Sequence, residues 1–169
     1  MSLKSYFFAQ DLARFKSKFN HEILVREISG KKSIIVGNAE QTGGTITGMW
    51  KKSLSVVGCQ LSVVRKCLVF GLGGGDVIRS LIKNYPGINI TCIEIDPVMK
   101  QVYEKYFQNP SYSSKSPIKI IIDDANRWVN RTQNIKYDLI VVDLYIGKMN
   151  PAFAGSKYYL STVKKLLTP

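Results

Sequence analysis

The apolar positions of this chain change period as it is read from the N-terminus. In "SYFFAQDLARFKSKFN", Phe8, Leu12, Phe15 and Phe19 recur at spacings of four, three and four. That predicts a helix with an apolar stripe and with Arg14, Lys16 and Lys18 mostly off it. "EILVREI" and "SIIVGNA" then flank "SGKK", so residues 22–38 read as a β-hairpin. "QTGGTITG" reads as a flexible loop, and "MWKKSLSVV" as a helix leading into the main sheet. From residue 67 short apolar runs alternate with helical segments: "CLVF" with "DVIRSLIKNY", "INITCIEI" with "PVMKQVYEKYF", "IKIII" with "ANRWVNRT", and "YDLIVVDLY" with "KYYLSTVKKLL". Successive strand-then-helix units predict a parallel sheet with helices on its faces, and near-continuous apolar strands fit burial on both sides. The fold class is therefore α/β, a doubly wound, mainly parallel sheet preceded by an N-terminal helix and hairpin. The chain divides into residues 1–62, the N-terminal helix and hairpin region, and a Rossmann-like region over 63–169.

In such a sheet ligands bind beyond the carboxyl ends of the strands. Each apolar run here ends in a polar or glycine-rich cluster: Gly71 to Asp76, Glu94-Ile95-Asp96, Asp123-Asp124 and Asp143. Glycine allows the backbone to take positive φ and pass close to a ligand. A P-loop is excluded, because no Gly-Lys-Ser/Thr follows the turn. A GxGxxG dinucleotide site is weakened, since Gly71 and Gly73 fit but the last position is Asp76. An acid at that helix N-terminus would repel a pyrophosphate and favour a ligand with a positive group. S-adenosylmethionine and its relatives, with a sulfonium and an ammonium, meet that condition. Glu94 lies about twenty residues past the turn, the spacing of an acceptor for ribose hydroxyls. Against these readings, Asp76 could serve only as a helix cap, Asp123 as a solvated strand-end acid, and Ile95 as core.

Charge and cysteine content narrow the function classes. The formal charge of +12 comes from 24 Lys and Arg against 12 Asp and Glu, with doublets at Lys31-Lys32, Lys51-Lys52, Arg65-Lys66 and Lys164-Lys165. Such a field attracts polyanions, so a nucleic-acid partner stays open beside a merely solvated surface. Cys59, Cys67 and Cys92 match no zinc spacing, so no metal is expected and buried reduced thiols are. His21 alone offers an imidazole, which argues against a His-dependent hydrolase. No stretch approaches the roughly 18 apolar residues of a spanning helix, and no signal-peptide pattern opens the chain. A cytoplasmic protein without a membrane partner is expected.

Taken in order, "VFGLGGGDVIRSL", "IEIDPVM", "IIDDANRWV", "YDLIVVDLY" and "KYYLSTVKKLLTP", after the hairpin "EILVREISGKKSIIVGNAEQTGGTITGMWKKSL", resemble the spermidine synthase group of class I adenosylmethionine-dependent transferases. The resemblance implies that Gly71, Gly73 and Gly75 shape the turn beside the amino-acid or aminopropyl part of the ligand, and Asp76, the acid at the following helix N-terminus, is counted among the cofactor-binding residues. Glu94 would hold the ribose, Asp124 with Ala125 the adenine amino group, Ile95 the ring, and Gln41 the thioether or sulfonium. Asp143 and Tyr145 would border the reacting centre. The group's Asp-x-x-Asp cluster is broken here: in "DLYIG" Asp143 matches the first acid and Ile146 stands in place of the second. The acidic, histidine-containing segment after the loop glutamine is also absent. Methyl transfer from S-adenosylmethionine is thereby narrowly favoured over aminopropyl transfer from decarboxylated S-adenosylmethionine, with a non-catalytic nucleoside-binding module as the third reading. The chain stops at "KLLTP", where the resemblance implies further strands, so a shortened sheet with an open edge near its fourth strand is expected. A homodimer through the N-terminal region would fit the same resemblance.

Overall fold

The computed structural model describes residues 8–58, 63–113, 116–132, 134–147 and 149–169. Two four-stranded sheets organise them. The first is antiparallel: β1 (Gln10–Phe15), β2 (Ile23–Ile28), β3 (Lys31–Val36) and β4 (Ala39–Thr42), in that order. The predicted hairpin is β2 and β3, with Ile23 opposite Val36 and Ile28 opposite Lys31. Alternation puts Ile23, Val25, Ile34 and Val36 on the buried face.

The expected N-terminal helix is instead β1. The four-three-four spacing is outweighed by a period of two: Ala13 and Phe15 turn toward the buried face, while Leu12 is 36 % exposed at an irregularity in the register. Strand β1 is tied to β2 by a side chain as well as backbone, because Arg26 of β2 pairs with Asp11 of β1. The expected loop after the hairpin is also corrected. Residues 39–42 form β4, and α1 (Gly44–Gly58) starts ahead of the segment predicted to be helical.

The second sheet is wholly parallel, in the order β7 (Ile118–Ile122), β6 (Asn89–Glu94), β5 (Lys66–Phe70), β8 (Leu139–Val142). The chain starts at a central strand, builds outward twice, then crosses to the other side, so strand order switches between β5 and β8. Helices α2 (Asp76–Asn84), α3 (Pro97–Tyr106), the single turn α4 (Pro110–Ser113), α5 (Ala125–Arg131) and α6 (Lys157–Lys164) follow the strands. Helix α2 and Leu54 of α1 cover one face with Val77, Ile78, Leu81 and Ile82. Helices α5 and α6 cover the other with Trp128, Val129, Tyr159 and Val163. Leu68 and Phe70 alternate with Cys67 and Val69, all buried, so β5 serves both cores. Each side chain buried this way contributes roughly 1.5–3 kcal/mol.

Cys67 and Cys92 are buried free thiols, which desolvation makes harder to ionise. Cys59 lies outside the described residues. Among the described residues strand β8 has β5 on one side and, on the other, one parallel bridge nearby, from Tyr137 to Leu167. The four basic doublets are exposed and sit at the starts of β3 and β5, on α1 and at the end of α6. No helix of the described residues is long and apolar enough to cross a membrane.

Candidate functional site

A cleft opens at the carboxyl ends of β5, β6, β7 and β8, under β4 and the start of α1. Among the residues that line it are Gln41, Gly71, Gly73, Glu94, Ile95, Asp124, Ala125, Asp143 and Tyr145. The structure thus brings together residues from positions 41 to 145 that the sequence singled out. Gly75 and Asp76 do not reach the cleft wall.

The glycine turn is shaped by two close approaches. Gly71 has φ of +94°, and a Cβ there would lie 2.0 Å from the Asp143 carbonyl oxygen. Gly75, at φ +78°, occupies the N-cap of α2 without a side-chain cap, and its Cβ would meet the Tyr103 ring at 2.5 Å. Asp76 is therefore not the cap. Its carboxylate is buried behind the turn, accepting from Thr47 Oγ1 at 2.7 Å, Gly43 N at 3.2 Å and Arg79 at 2.7 Å. It staples the turn to the entry of α1.

Glu94, at the end of β6, is buried and accepts from the backbone N–H of Leu72 at 2.8 Å and of Asp96 at 2.9 Å. Burial outweighs these bonds and pushes its carboxyl up to about 7. Asp124 caps α5, accepting from Arg127 N at 2.8 Å through one oxygen. The adjacent Asp123 is no solvated acid, since Arg127 and Arg131 both pair with it in a buried position. Ile95 is partly open on the cleft wall rather than core.

At the other end, Asp143 follows β8 and is pushed up to about 6 by burial and by the nearby Asp76. The Trp50 indole, on α1, faces Asp143 and favours its ionised form, yet its buried Nε1 has no hydrogen-bond partner of ordinary geometry. The remaining wall is mostly apolar, with Ile46, Met49, Leu144, Ile146, Pro151 and Phe153, and Glu40 of β4 adds a carboxylate to it. Ile146 and Met149 close a turn by mutual backbone bonds, with Gly147 at its tip held by Gln41 Nε2 at 2.8 Å. Tyr145 and Ile146 stand half exposed at the mouth.

Sequence reading missed the third side of the cleft. Phe19 and Asn20, from the turn after β1, line it because Asp96, the N-cap of α3, accepts from Ser17 Oγ at 2.5 Å and Asn20 Nδ2 at 2.8 Å. Those partners are more than seventy residues apart in the chain, so no local spacing announces them. His21 is exposed. Among the described residues no cluster of three or more His, Cys, Asp and Glu could hold a metal ion.

The chain is similar to several known proteins. A polyamine aminopropyltransferase of Vibrio vulnificus is 33 % identical over 106 residues, which cover 61 % of this chain and 34 % of that relative. An eEF1A lysine and N-terminal methyltransferase homolog of Drosophila melanogaster is 32 % identical over 116 residues, covering 63 % of this chain and 17 % of its own length. The chain thus spans about a third or less of these relatives. Among solved structures, a spermidine synthase in complex with the transition-state analogue AdoDATO superimposes with a TM-score of 0.76 over 94 % of this chain and 55 % of that one, at 16 % identity. Human methyltransferase-like protein 13 in complex with SAH does so with a TM-score of 0.51 over 73 % of this chain and 58 % of that one, at 27 % identity. These likenesses give the Rossmann-like methyltransferase fold. Residues 52–169 match the spermine/spermidine synthase domain, and the chain belongs to that family.

Proposed function

We propose that this chain alkylates an amine nitrogen using an adenosyl sulfonium, with methyl transfer from S-adenosylmethionine as the first reading. The observation that supports it is the cradle at Gly71. A Cβ there would fill the space between the strand ends, and glycine at Gly71 and Gly73 keeps the cleft floor bare backbone. Glu94 and Asp124 each retain unshared lone pairs beside that floor, which suits a ribose and an adenine amino group. Ile95 and Ala125 would pack on the ring, Gln41 would reach the sulfur end, and Gly75 and Asp76 would support the turn from behind. Once held, the sulfonium supplies an electrophilic carbon with a neutral thioether as leaving group.

The chain's own residues would do the rest by position and proton handling. Asp143, with its carboxyl raised to about 6, is ionised at neutral pH and placed to take the proton an acceptor ammonium must shed. Tyr145 borders the same space. The apolar stretch of Ile46, Met49, Leu144 and Ile146 beside Asp143 suits an acceptor that presents a single amine, whereas Glu40 on the same cleft would suit a second charge. The names of the methyltransferase relatives, which specify lysine and N-terminal amines, agree with the single amine. The second reading is aminopropyl transfer from decarboxylated S-adenosylmethionine, supported by the Vibrio vulnificus relative and by the Asp143 carboxylate itself.

Calorimetric titration of S-adenosylmethionine, its decarboxylated form and methylthioadenosine into the wild type and Asp124→Ala tests this. Preference for S-adenosylmethionine, weakened about 10- to 100-fold in the variant by loss of a charged hydrogen bond, supports the first reading. Preference for the decarboxylated form moves the assignment to aminopropyl transfer. Absence of binding by all three overturns both and leaves an interaction module.

A further inference from the structure

Trp50 is unexplained by the nucleoside contacts. Its ring packs against the core beneath α1 and α2, and its edge lines the cleft. An indole N–H can only donate, and this one is buried with no partner. Buried donors in folded proteins are almost always satisfied. An orphan N–H kept on a cleft wall therefore implies an acceptor present in another state of the site.

The neighbouring acceptor is Asp143. The groups that face this carboxyl come from three elements. Asp76 of α2 opposes its ionisation, with its own charge already shared with Arg79. From β6, Cys92 lies close enough to feel both Asp143 and Glu94. From α1 comes Trp50, the one group among the described residues that favours the ionised form. Among the described residues no cation compensates Asp143 directly, so the indole dipole carries that task.

We propose that Trp50 is a positioning residue for Asp143: its indole N–H is reserved for the ionised carboxylate, closing on one oxygen and leaving the other for the acceptor amine. This rests on the reading of Asp143 as the proton acceptor, but its physical core does not need turnover. With Asp143 protonated its remaining acceptor oxygen is weak, and the N–H is held loosely. Loss of the proton draws the two groups together. The side chain thereby loses rotational freedom at the moment it becomes a base, which aims its free lone pairs into the cleft.

The test follows the indole resonance directly. The chain has two tryptophans, so a proton–nitrogen correlation spectrum of the full chain shows two indole peaks, and Trp50→Phe assigns one by removing it. Across roughly pH 4.5 to 8, a range that brackets the carboxyl, the Trp50 peak is expected to move with a midpoint near 6. The movement is expected to vanish in Asp143→Asn. In Trp50→Phe, which keeps the aromatic packing, the acidic limb of kcat/KM shifts upward by on the order of one pH unit while nucleoside affinity is unchanged. A Trp50 peak that stays fixed, or that still titrates in Asp143→Asn, overturns the proposal. If no acceptor is ever turned over, the transferase reading fails while the indole titration still decides this one.

Discussion

The two ends of the cleft are built on opposite terms. At the end proposed for the nucleoside the acids already have protein partners: Glu94 accepts from Leu72 and Asp96, and Asp124 from Arg127. At the end proposed for the acceptor Asp143 has no cationic partner among the described residues, Trp50 has an unused donor, and Ile146 presents a half-exposed aliphatic side chain. The first end is pre-organised, so little ordering cost remains when a ligand binds. The second end holds its polar groups unsatisfied, which is costly for stability and leaves them available for chemistry.

The two ends meet at Gly71, so the largest effect is expected there. Gly71→Ala would place a methyl group 2.0 Å from the Asp143 carbonyl, at a φ of +94°. Backbone cannot yield as a side chain tip does. β5 and β8 would have to separate, with a loss of about 3–5 kcal/mol in urea unfolding and of nucleoside binding with it. A loss under about 1 kcal/mol would mean that the ends are mechanically independent and the comparison is wrong.

Next comes pH. Glu94 has its carboxyl raised from 4.5 to about 7, chiefly by burial. A carboxyl whose folded pKa exceeds its unfolded value binds more protons in the folded state, so it weakens the fold as pH climbs from about 4.5 to about 7. Asp143 acts with the same sign, from 3.8 to about 6. At roughly 1.4 kcal/mol per unit, Glu94 accounts for a decline of up to about 3 kcal/mol. Glu94→Gln should flatten that part of the slope. Because the amide carries one acceptor where two backbone N–H groups need one, it starts about 1–2 kcal/mol less stable at acid pH and converges with the wild type above neutrality. Parallel slopes for the two proteins would show that Glu94 is better solvated than its position implies.

How much of this was legible in the sequence follows the same division. The parallel sheet was readable because "CLVF" and "DLIVV" are apolar at consecutive positions, and Glu94 was readable because its distance from the glycine turn is set by one β-α-β unit. β1 was misread because a short segment carried helical and strand periods together, and only pairing with β2 and the ion pair of Asp11 with Arg26 decided between them. Asp76 was misplaced because a helix N-terminus looks the same whether its acid faces a ligand or, as here, Gly43 and Thr47. Phe19, Asn20 and Trp50 were missed for a different reason. Their roles rest on contacts between distant segments or on an unpaired atom, and neither leaves a local pattern.

The smallest expected effect sharpens the boundary between the two ends. Gln41 was expected at the sulfur of the nucleoside, yet its amide donates to the Gly147 carbonyl at the tip of the Ile146–Met149 turn. If Gln41 belongs to the acceptor end, Gln41→Ala frees that turn at a cost of about 1 kcal/mol or less. KM for the acceptor should then rise several-fold, while calorimetric affinity for the nucleoside changes by less than about threefold, under 1 kcal/mol. A tenfold loss of nucleoside affinity with an unchanged acceptor KM would put Gln41 at the pre-organised end and move the boundary to the Ile146 turn itself. The carbonyl oxygen of the same side chain is not used by that bond, so Gln41→Glu separates the two cases further. It removes the donor to Gly147 and adds a negative charge that a sulfonium would welcome, so tighter nucleoside binding together with a looser turn would show one residue serving both ends.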